Sequence, residues 1–88
     1  MTEDKIREKC KEVSDFLIRK NRDYGDSAFN PVRIFSKALP IEALKVRIDD
    51  KLSRIASHGE KNFTEDTLLD LIGYLILLSI LEGERDRK

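Results

Sequence analysis

Asp70 is the first residue whose chemistry needs an explanation. It stands among leucines and isoleucines in "EDTLLDLIGYLILLSILEGE". A carboxylate taken out of water requires a cation, a metal ion or a proton. Asp66 lies four residues before it and Tyr74 four after, so the three share one helix face. Positive charge is concentrated in "KVRIDDKLSRIASHG", where Arg47, Lys51, Arg54 and His58 fall at i, i+4, i+7 and i+11 beside an apolar stripe of Leu44, Ile48, Leu52 and Ile55. Two readings stand side by side. In one, these charges are ion pairs that dock the second helix against the third. In the other, they line a site where Arg47, Lys51 and Arg54 hold phosphate and Asp50, Asp66 and Asp70 hold Mg²⁺. Asp50 also sits at helical pairing distance from Arg47 and Arg54, and that local pairing is its simpler explanation.

"KNRDYGDS" is the second candidate. Tyr24 extends the apolar face of the first helix. It is either a core ring at a helix end or a ring that stacks on a base, with Lys20, Asn21 and Asp23 supplying polar contacts. His58 falls near a helix C-terminus, where partial positive charge is favourable, and is read as capping. No P-loop, nucleophile triad or glycine-rich dinucleotide fingerprint occurs.

These residues must be positioned by helices, because the apolar periodicity is helical almost throughout. A first helix runs from about Glu3 to about Asn21, with Ile6, Cys10, Val13 and Leu17 on its buried face, Phe16 at the edge, and Gly25 as its stop. Pro31 opens a short helix through Phe35, and Phe29, Ile34 and Phe35 pin that connection to the core. The second helix begins near Pro40 and ends before Gly59. Thr64 caps the third, with Glu65 and Asp66 in its first turn and Phe63 stapled to Leu68. The third helix is apolar nearly all round, and two helices of similar length cannot cover it, so a second subunit is expected to complete its burial.

Composition sets limits on all of this. The chain has 88 residues, which predicts one domain, 1–88, of all-α class: a bundle of three main helices plus the short helix, completed by oligomerisation. Lys+Arg and Asp+Glu are both 17, so the chain is neutral and lacks the basic excess of a general nucleic-acid binder. One cysteine and one histidine exclude an intramolecular disulfide and a Cys/His zinc site within one chain. The apolar run of the third helix is too short to span a bilayer. The charged N-terminal stretch "MTEDKIREKCKEVSDF" has no signal-peptide apolar region, so a cytoplasmic location is expected.

Three segments, "KNRDYGDSAF", "VRIDDKLSRI" and "EDTLLDLIGYLIL", together resemble a bacteriophage family, the first type of nucleotide-modification-associated domain. The resemblance covers most of the chain from Lys20 to Leu81. It implies a phage or prophage origin, hence the host cytoplasm, and a connection with nucleotides. The arrangement is also similar to the MazG-type all-α nucleotide pyrophosphohydrolases, whose resemblance implies a helical oligomer and a Mg²⁺ site built from E-x-x-E on one helix and E-x-x-D on the next. Here the first pair reads Glu42 and Lys45, and the second reads Thr67 and Asp70. One acid is replaced by a cation and another by a threonine.

The expectation from residues and resemblance together is a small nucleotide-binding protein. It would need no cofactor for binding and would sequester a host signalling nucleotide, such as a cyclic one, without cleaving it. Its ligand residues would be Lys20, Asn21, Asp23, Tyr24, Arg47, Lys51 and Arg54. The alternatives are a Mg²⁺-dependent nucleoside triphosphate pyrophosphohydrolase using Asp50, Asp66 and Asp70, with metal-activated water as nucleophile, and a purely structural helical oligomer.

Overall fold

The computed structural model describes residues 1–58 and 64–86, apart from the side chains of His58 and Asp86. The first helix, α1 (Thr2–Asp23), carries Glu3 and Asp4 in its first turn and Lys20 and Arg22 in its last. Both placements oppose the helix dipole. Its end is a Schellman motif: Asp26 N–H donates to the Asn21 carbonyl at 2.9 Å and Gly25 N–H to the Arg22 carbonyl at 3.1 Å. Gly25 takes φ +63°, where a side chain is disfavoured, and so fits the stop expected of it. Asp26 also has positive φ, +61°. Its carboxylate accepts from Asn21 Nδ2 at 3.0 Å and Asn30 Nδ2 at 2.7 Å, which holds that uncommon backbone in place.

The second helix, α2 (Pro40–His58), opens on proline, which lacks the N–H that a first helical turn leaves unbonded. The third, α3 (Glu65–Asp86), starts behind Thr64, whose Oγ1 accepts from Thr67 N–H at 3.2 Å. Thr64 is therefore the N-cap its type predicts. The Phe63 half of the expected staple lies outside the described residues, as does the His58 side chain.

The core forms where the three helices meet the turn after α1. Ala28, Leu44, Leu77 and Leu81 are buried together, with Leu17, Phe29, Ile41, Tyr74 and Leu78 packed against them. Leu44 is the most enclosed, at 1% exposure. The contact between α2 and α3 is the most extensive one between elements. Among the described residues no helix is long and apolar enough to cross a membrane.

The all-α class and its three main helices are as the periodicity predicts, and three local expectations need correction. The short helix from Pro31 to Phe35 does not form; turns and irregular backbone join α1 to α2. Of the three residues expected to pin this connection, only Phe29 packs against the core, while Ile34 and Phe35 are 83% and 98% exposed. Cys10 and Ile6 are exposed as well, because α1 is buried only from Val13 onward. Within the single chain α3 is left partly uncovered, as expected of a helix apolar nearly all round: Leu68, Leu75, Ile76 and Ile80 face outward.

Candidate functional site

Phe16, Lys20 and Tyr24 follow one another at four-residue steps along the last turns of α1, so they line one side of it. α3 faces them with Asp70, Gly73, Tyr74 and Leu77, and α2 adds Arg47. Asn21, Ser27 and Ala28 close one end, and the pocket has a volume of about 190 Å³.

Asp70 organises the charge. Lys20 Nζ donates to its Oδ1 at 2.6 Å, and Lys51 Nζ lies 3.0 Å from its Oδ2. The carboxylate is 16% exposed. Burial pushes its proton affinity up, but the hydrogen bonds and charges of the two lysines outweigh burial, and its pKa lies below the ordinary 3.8. Lys20 responds in kind: its hydrogen bond to Asp70 raises it above 10.5, against a smaller opposing effect of burial. The ammonium also stands 5.1 Å from the centre of the Phe16 ring, a cation–π distance.

With Lys20, Lys51 and Arg47 set against one carboxylate, the pocket has a surplus of positive charge. Its apolar side is aromatic, with Tyr74 packed against the core and Tyr24 largely exposed at the mouth. Gly73 brings the two helices together, because a Cβ there would stand 3.1 Å from Leu17 Cδ1. The volume falls below the roughly 300 Å³ at which sites enclose a drug-sized molecule. One chain can therefore surround a ring or a phosphate, but not a whole nucleotide.

Lys20, Asn21, Tyr24 and Arg47 line this pocket together with Asp70, as the sequence analysis groups them. Asn21 does so while donating to Asp26, so it shapes the turn as well as the wall. Lys51 joins from behind, through Asp70. Asp23 and Arg54 are exposed and do not line the pocket. Asp50 and Asp66 are exposed too, and among the described residues no group of three or more His, Cys, Asp or Glu is placed to hold a metal ion. The convergence of Asp50, Asp66 and Asp70 that the hydrolase alternative requires is not seen among the described residues; two lysines pair with Asp70 instead. Phe16, Ser27 and Gly73 are site residues that the sequence analysis does not single out. The step from Phe16 through Lys20 to Tyr24 signals the first, and a lone glycine inside an apolar helix signals the last. Comparison with protein-family models, with curated proteins and with solved structures finds no match.

Proposed function

We propose that this protein binds a nucleotide at the pocket between α1 and α3 and holds it without cleaving it. The observation that supports this reading is the gathering of two unlike kinds of side chain in one small cavity: the cations of Lys20 and Arg47, and the rings of Phe16, Tyr24 and Tyr74. A phosphate would lie against the cations, with Arg47 able to grip two oxygens at once. A base would stack on an aromatic face, a contact worth about 1–3 kcal/mol per base. The remainder of the ligand would project from the mouth, in keeping with the cavity's size. Retention without chemistry fits a carboxylate already occupied by two lysines. The resemblance to a phage nucleotide-associated family adds the context, in which such a protein withdraws a host signalling nucleotide from use.

The structural reading also has an observation in its favour. Asp70 is satisfied by Lys20 and Lys51 without any ligand, as expected if the charges only dock helices.

Calorimetric titration with nucleoside triphosphates and with cyclic mono- and dinucleotides, with and without Mg²⁺, tests the proposal when the ligand is afterwards chromatographed. The expected result is Mg²⁺-independent binding of a nucleotide recovered intact, weakened at least tenfold by Arg47→Ala and by Tyr24→Ala with helicity retained. Released products would overturn retention and restore the pyrophosphohydrolase. No binding across the panel would leave the charges as helix-docking pairs.

A further inference from the structure

The segment between Pro31 and Leu39 presents Val32, Ile34, Phe35 and Leu39 to solvent, with Phe35 almost wholly bare. Side chains of this kind gain by leaving water, so four left open within one short stretch are an unusual cost for a chain of this size. Two hydrogen bonds of the segment stay inside it: Lys37 Nζ to the Arg33 carbonyl at 3.0 Å, and Ala38 N–H to Ser36 Oγ at 3.1 Å. The segment is thus folded on itself with its apolar side chains outward.

Between α2 and α3 runs a groove of about 310 Å³, floored by Val46, Ile48, Leu75 and Leu78. Its rim carries Glu42, Lys45 and Asp49, and Lys45 lies 3.8 Å from both Glu42 and Glu82. The segment carries Arg33 and Lys37 and no acid, so its cations can meet Asp49 on that rim.

We infer that the 31–39 segment is an arm that docks into the α2–α3 groove of a second copy of this chain, each copy giving one arm and receiving one. Area supports a second copy as the occupant. The chain exposes 7024 Å², whereas a folded monomer of its 10.2 kDa mass exposes about 5,300 Å². The excess is roughly twice the ~800 Å² that each partner contributes to an interface of standard size. A net charge of zero removes long-range repulsion between copies. Reciprocal exchange closes on itself, so it yields a finite assembly rather than a fibre. This inference is independent of the nucleotide reading, since the arm and the groove share no residue with the pocket.

The test uses the full chain with Cys10→Ser, which removes the exposed native thiol. Phe35→Cys and Leu75→Cys are made as separate proteins in that background, mixed and oxidised. The expected product is a disulfide between the two different chains. Light scattering of the unmodified protein should give a dimer or larger closed assembly, and Phe35→Asp should weaken self-association at least tenfold without loss of helicity. A monomeric protein at high concentration would overturn the inference. So would an assembly indifferent to Phe35→Asp, or a Phe35→Cys/Leu75→Cys double variant that closes its disulfide within one chain. If Phe35→Asp perturbs helicity, the mixed-chain cross-link decides alone.

Discussion

Two lysines on one carboxylate make Asp70 a group that serves stability and tunes the pocket in opposite directions. Its folded pKa lies below 3.8, so the stability it contributes is fully present above that value and is lost as pH falls through the lower folded value. Lys20 has the opposite sign: raised above 10.5, its contribution is complete below that pH and is lost as pH rises through the raised value. Asp70→Asn should cost about 1–3 kcal/mol, towards the lower end because Lys20 is partly solvated and screened. Urea midpoints measured across pH should show that difference as a plateau near neutrality that shrinks below pH 4. The same variant frees Lys20 and Lys51 from their counter-ion. If the pocket takes an anionic ligand, affinity should therefore rise while stability falls, and docking pairs alone predict no such divergence. At this scale the sequence was informative about residue type and face. Lys20, Tyr24 and Arg47 were identifiable from residue type and helical spacing, and all three line the pocket, Tyr24 from its exposed mouth. Asp50 and Asp66 do not line the pocket with Asp70, in keeping with the local pairing preferred for Asp50; spacing orders residues along their own helix and does not say which neighbour each one meets.

At the scale of elements, the ends of helices were the most legible feature. Thr64 and Gly25 announce a start and a stop by residue type, and both do so for local reasons that no distant contact overrides. Thr64→Ala removes the acceptor for Thr67 N–H and should cost about 1 kcal/mol, read as a shift in the thermal or urea midpoint with unchanged cooperativity. The segment after Asn30 was far less legible. Proline there can open a helix, and Ile34 and Phe35 resemble the apolar side of one. Too few residues follow before Pro40 to repay the cost of nucleating a helix without a surface to pack on. The sequence signals that these side chains are to be buried without specifying in which chain.

The whole molecule is looser than its length predicts. Its radius of gyration is 14.6 Å, against about 12 Å for a compact chain of 88 residues. α1 projects its first turns into solvent, and α3 leaves one apolar side open. If a second copy covers these surfaces, folding is coupled to association, and the thermal midpoint should rise with protein concentration. Differential scanning at widely spaced concentrations checks this; a midpoint that does not move would identify the single chain as the stable unit. The all-α class could be read from periodicity because a 3.6-residue repeat is a property of one helix at a time. Completeness of the core could not, because it depends on the sum of all surfaces.

The carboxylate of Asp26 joins the end of α1 to Asn30, and Pro40 begins α2. The span between is therefore a loop tethered at both ends, unlike a free tail. In polymer terms its accessible volume is already small, so fixing it on a surface sacrifices little further chain entropy. Loosening either anchor would enlarge that volume and raise the entropic cost of docking, with no contact at the docked surface changed.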